Sequence, residues 1–136
     1  MRWSRFVRAA TFGGLLMSGG VAWAHHAFAS EFDANQPITL KGTITKMDWV
    51  NPHAWLYLDV KGADGKVVSW AIEFGSPNAL YKRGWRKEKL PVGAEVTASA
   101  YRAKNGSATA HAEKVQMADG SELMNASSGT GAPYQP

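Results

Sequence analysis

The chain has 136 residues, 45% of them apolar and 19% charged, with 14 Gly, 6 Pro and no Cys. That length suits one small domain and excludes a multi-domain enzyme, and the apolar content excludes a wholly disordered chain. Without Cys there is no disulfide, thiolate metal site, cysteine nucleophile or lipid-modified N-terminal cysteine, and no apolar run reaches the ~20 residues of a membrane-spanning helix.

Residues 1–24 have the pattern of a secretory signal peptide. Arg2, Arg5 and Arg8 give a positive start, Thr11 to Val21 a short apolar stretch, and Ala22-Trp23-Ala24 a small-x-small cleavage site. Gly13, Gly14, Gly19 and Gly20 argue against a helix of the folded domain. Cleavage after Ala24 would leave a mature chain in the periplasm or the medium, starting at His25, with no membrane span. It removes three of the 15 basic residues and none of the 11 acidic ones, so the net charge falls from +4 to +1. The high isoelectric point therefore gives no ground for a nucleic-acid partner.

Residues 25–36 are expected to be a leader, with Phe28 and Phe32 as docking points, ahead of a folded body over residues 37–124. The first strand runs from Ile38 to Trp49, rich in Thr and Ile and able to bend at Gly42. Asn51-Pro52 breaks it. In the second, Ala54 to Val60, Leu56, Leu58 and Val60 alternate with Trp55, Tyr57 and Asp59. Ala63-Asp64-Gly65-Lys66 is a hairpin turn, and Val67 to Phe74 alternates again, with Val68, Trp70, Ile72 and Phe74 on one side and Trp70 in the core.

The pattern then becomes helical. Ser76 is a helix cap, Pro77 fits the first helical position, and Gly84 is a left-handed stop after about two turns. Lys82, Arg83, Arg86, Lys87 and Lys89 cluster here, either as a solvated helix end or as a site for an anionic partner. Glu95 to Arg102 and Thr109 to Met117 are two further strands around a Lys104-Asn105-Gly106-Ser107 hairpin, and residues 125–136 form a disordered tail. The class is all-β with one short helix. Strand, strand, strand, helix, strand, strand is the order of a small five-stranded OB-fold-like barrel, with a small sandwich or SH3-like barrel as the alternative.

His25-His26-Ala27-Phe28-Ala29, Trp49-x-Asn51-Pro52-His53, Glu73-x-Gly75-Ser76-Pro77-Asn78 and Gly84-Trp85 together resemble a secreted bacterial family, domain of unknown function 6152. The resemblance runs from His25 to about Ser128. It implies export and a small β-rich domain, and carries no assigned activity.

The candidate metal ligands are His25, His26 and His53. A free N-terminal His25 offers an amine and an imidazole to one ion, and His26 at position two offers amine, amide and imidazole nitrogens. Nitrogen donors without thiolate suit Cu(II) first, then Ni(II) or Zn(II). Pro52 stiffens the loop that carries His53. With alternating strand directions, that loop and the end of the third strand share one pole. Asn51, Glu73 and Ser76 should therefore support His53, with Glu73 as co-ligand, orienting carboxylate or structural hydrogen-bond partner. Trp55 and Tyr57 share the outward side of the second strand, as a stacking platform or as packing beneath Phe28 and Phe32. No glycine-rich phosphate loop, His-Glu-x-x-His or strained serine elbow is present, so the expectation is a binding module and not an enzyme. Its ligand is copper or, alternatively, a non-metal ligand or periplasmic protein met by the aromatic face. No role emerges for His111.

Overall fold

A computed structural model describes residues 27–126. Strands take 52% of them, so the domain is mostly β. A helical turn over residues 27–31 (α1) leads directly into β1, Phe32–Asp48. Then come β2 (Trp55–Lys61), β3 (Val67–Glu73), the short helix α2 (Pro77–Lys82), a 3-10 turn at Lys87–Lys89, β4 (Glu95–Ala103), β5 (Thr109–Met117) and β6 (Glu122–Met124). They form one six-stranded sheet in the order β3-β2-β1-β4-β5-β6, antiparallel between neighbours, with an additional parallel pairing of β3 with β5.

Period-two alternation builds the core. Leu56 and Leu58 of β2 and Ile72 of β3 are fully buried, as are Ala98 of β4 and Ala110, Ala112 and Val115 of β5. Helix α2 closes this layer with Leu80. Ser76 caps it, accepting from the Ala79 amide at 3.4 Å, Pro77 takes the first helical position, and Gly84 follows with φ +86°. A Cβ on Gly42 would lie 2.5 Å from the Asp59 carbonyl oxygen, so glycine here lets β2 approach β1. Against β2, the register of β1 shifts between Ile44 and Lys46.

Four expectations change. The stretch expected as a leader is part of the fold: β1 begins at Phe32, which pairs with Ala103 of β4. The core tryptophan is Trp85, fully buried, with its indole N–H donating to the Met124 carbonyl at 2.8 Å. Trp70 is half-buried at the core's edge beneath the Arg102 guanidinium, 5.6 Å from its ring. The segment after Gly120, too short to show a period, is strand β6 on the edge of β5. Asn125, expected to open a disordered tail, is 2% exposed. Residues 1–26 and 127–136, with the signal segment and most of the tail, lie outside the described residues.

Candidate functional site

The register places Trp55 of β2 opposite Glu73 of β3, Glu73 beside His111 of β5, and His111 opposite Tyr101 of β4. Their neighbours Leu56, Ile72, Ala110 and Ala100 face the core, so this row lies on the outward side of the sheet. A carboxylate and an imidazole there would ordinarily meet water. Both are nevertheless buried, Glu73 at 7% and His111 at 9% exposure; the N-terminal segment packs on His111, and Glu73 lies against His111 and His53. The Phe28 ring stands edge-on to His111 at 5.3 Å and the Phe32 ring is tilted over it at 5.4 Å. Phe28 also meets Tyr101 edge-on at 5.8 Å, and Ala103 completes this second, outer cluster.

Beneath the aromatic cover runs a chain of polar contacts. Asn125 accepts through Oδ1 from the backbone N–H groups of Gly75 (2.9 Å) and Ala126 (2.7 Å), which fixes the direction of its amide. Its Nδ2 therefore donates, to the Ala112 carbonyl at 2.7 Å and toward His111 Nε2 at 3.4 Å. A nitrogen that faces a donor must offer its lone pair, so the hydrogen-bond pattern assigns the His111 proton to Nδ1. That N–H points to Glu73 Oε2 at 3.2 Å. The other carboxylate oxygen, Oε1, pairs with Nδ1 of His53. Glu73, His111 and Asn125 are the buried polar residues among those described, and they form one chain that ends on a half-exposed histidine (49% for the His53 side chain). An unpaired buried carboxylate would be costly; here each oxygen has a partner.

Local backbone contacts hold the two contributing loops together. The Ala54 amide donates to the Gly75 carbonyl at 3.1 Å, and the Phe74 amide donates to the Ala54 carbonyl at 2.9 Å. Gly75 is needed where it stands, because a Cβ there would come within 2.9 Å of the Ala126 methyl. His53 and Glu73 are thus in contact, at the end of β3 and the start of β2 that strand alternation indicates.

The other candidate residues fall apart from this chain. Asn51 is exposed, and Ser76 serves the α2 terminus. Trp55 and Tyr57 are half-buried, but Phe28 and Phe32 do not pack over them; the Tyr57 ring carries the Lys46 ammonium at 5.5 Å. A groove of about 530 Å³ lined by Ala94, Met117 and Leu123 includes neither of these aromatic residues. In the basic cluster, Arg86 donates to the Tyr81 and Trp85 carbonyls (2.9 and 2.6 Å) and Lys89 to that of Gly84 (3.2 Å). These two cations satisfy the end of α2 and the turn after it. His25 and His26 lie outside the described residues, and His26 precedes Phe28 by two positions. Among the described residues no group of three or more His, Cys, Asp or Glu is placed to hold a metal ion.

A family profile matches residues 14–112, nearly three quarters of the chain. The chain belongs to DUF6152, a family of unknown function. The match takes in His25, His26, His53, Glu73 and His111, and ends before β6 and Asn125. No curated protein and no solved structure matches the chain.

Sequence reasoning missed His111 and Asn125. For His111 a signal existed: it stands between Ala110 and Ala112, whose parity turns it outward, and a β3–β5 pairing would set it beside Glu73. Asn125 gives no such signal, since it is one polar residue after a three-residue strand.

Proposed function

We propose that this DUF6152 member is exported, loses residues 1–24, and acts in the periplasm as a small OB-fold-like module that binds copper through His25 and His26 at its new N-terminus. The barrel reading is supported by the β3–β5 pairing, which joins the strands β3-β2-β1-β4-β5 end to end, and by α2 between β3 and β4. Export is supported by the basic, apolar and small-x-small succession in residues 1–24.

One observation supports the copper reading: Phe28, three positions after His25, packs on His111 at the outer face. From Phe28, residue 25 lies within about 10 Å of extended chain. Two histidines and a free amine on so short a tether act at high effective concentration beside the domain. The N-terminal amine, its imidazole and the second imidazole are the donor set that Cu(II) prefers among first-row divalent ions.

Two measurements test this. Intact mass of protein from a periplasmic extract should correspond to residues 25–136. Copper titration of that protein, beside a version carrying one extra residue before His25, should show at least tenfold weaker binding in the extended version. A mass that retains residues 1–24 overturns the export reading. Equal, weak affinity in both forms overturns the N-terminal copper reading and leaves Trp55 and Tyr57 as the candidate surface for a non-metal ligand.

A further inference from the structure

The groove of about 530 Å³ lies between two turns. One wall is the stretch from Glu88 to Glu95, which leads from the 3-10 turn into β4; the other is the β5–β6 hairpin, from Met117 to Leu123. Its apolar lining includes Ala94, Met117 and Leu123, which belong to the margin of the inner core. Backbone hydrogen bonds set both walls. The Ala94 amide donates to the Pro91 carbonyl at 3.2 Å, and the Gly93 amide to that of Ile44 at 2.8 Å. Across the groove, the Met117 amide donates to the Ser121 carbonyl at 2.8 Å. Asp119 Oδ1 accepts from the Ser121 amide and hydroxyl at 2.9 and 2.6 Å. The groove is thus built into the fold, and its volume suits a small ligand.

Its charge is one-sided. Glu88, Glu95, Asp119 and Glu122 line it against one ammonium, that of Lys89, which donates to the Gly84 carbonyl at 3.2 Å. Lys41 pairs with Glu95 at 2.9 Å and Lys114 with Glu122 at 2.7 Å, both as exposed pairs of the weak kind. Glu88 has no ion pair among the described residues. The hydrogen bonds from Ser121 hold Asp119 below the usual carboxylate range, so it stays charged at neutral pH. The chain as a whole carries a net +4, so this acidic rim runs against its composition.

We propose that this groove binds a small organic cation, an ammonium group carried on an apolar body. The body lies on Ala94, Met117 and Leu123, and the ammonium meets the carboxylates of Glu88 and Asp119 at the rim. A neutral ligand of the same shape gains from the lining and nothing from the rim. The proposal uses no residue of the copper reading and stands or falls apart from it.

The test is titration of isotope-labelled protein with phenethylammonium, followed by amide chemical shifts, beside phenethyl alcohol as the neutral counterpart. Saturable shifts should map to residues 88–95 and 117–123. The ammonium should bind about fivefold tighter than the alcohol, the scale of one or two exposed ion pairs. Methylammonium, which lacks the apolar body, should cause no saturable shift there. The double variant E88Q and D119N changes two exposed side chains and keeps the oxygen that accepts from Ser121, and its spectrum reports that it is folded. It should bind ammonium and alcohol equally. No saturable shift in these two walls, equal binding of the two probes by wild type, or an undiminished preference in the double variant overturns the proposal.

Discussion

The protein has two packed regions that differ in kind. The inner one, around Leu56, Leu58, Ile72, Phe74 and Trp85, is apolar and continuous, and its members are fully buried. The outer one, on the reverse of the same sheet, holds Phe28, Phe32 and Tyr101 over a buried glutamate, histidine and asparagine. The inner region gains from area removed from water. The outer region gains less area and depends on every polar atom finding a partner. The outer region reaches solvent at one half-exposed end, His53.

The largest effect should come from breaking the inner region. Trp85→Ala removes a fully buried indole that meets Phe74 edge-on at 4.8 Å and bonds the Met124 carbonyl. It should cost about 3–5 kcal/mol in urea unfolding, enough to leave much of the population unfolded. A cost below about 1 kcal/mol would mean that Trp85 is not the centre of the core.

Breaking the outer region should cost less. Asn125→Ala strips acceptors from the Gly75 and Ala126 amides and a donor from His111. About 1–3 kcal/mol is expected, the range for orphaned buried polar groups. The inner core should be intact, with unchanged near-ultraviolet circular dichroism from Trp85. If the loss matched that of Trp85→Ala, the two regions would be one cooperative unit and the distinction would fail.

The two regions also differ in how far the sequence disclosed them. Alternation in Leu56-Tyr57-Leu58 and the Ser76-Pro77 start required only neighbours along the chain, and these features of the inner region were legible. The contact of His53 with Glu73 followed from strand direction, from the stiffness Pro52 gives its loop and from the Ser76-Pro77 helix start after Gly75. The remainder of the outer chain joins α1, β3, β5 and residue 125, and no local pattern marks such contacts. Trp85 was missed for a related reason: it follows a glycine stop in a basic stretch, so no period assigns it to the core, whereas Trp70 has the right parity but lies where β3 has no β5 partner. The early start of β1 was hidden by Pro37 and by the register shift between Phe32 and Pro37.

The smallest effect concerns the rim of the outer region. The Tyr101 hydroxyl donates to Glu113 Oε1 at 2.8 Å, and this bond, then partial burial, holds its pKa above the usual tyrosine range. A pKa raised in the folded state contributes stability below the unfolded value of about 10, and that contribution is lost as pH rises through the folded value. Tyr101→Phe should therefore cost less than about 1 kcal/mol at neutral pH, and the gap to wild type should close above about pH 10. A gap that widens in alkali would contradict the assignment of the hydroxyl as donor.

The buried polar chain stands on Asn125, whose amide holds the His111 proton on Nδ1, toward Glu73. Long-range nitrogen–proton correlation spectra of the metal-free protein test this most directly, because the two nitrogens of a neutral imidazole differ widely in shift according to which carries the proton. The account predicts His111 with its proton on Nδ1 and Nε2 bare, and His53 in the same form, with Asn125→Asp moving the His111 proton onto Nε2. His111 protonated on Nε2 in the wild type would contradict it.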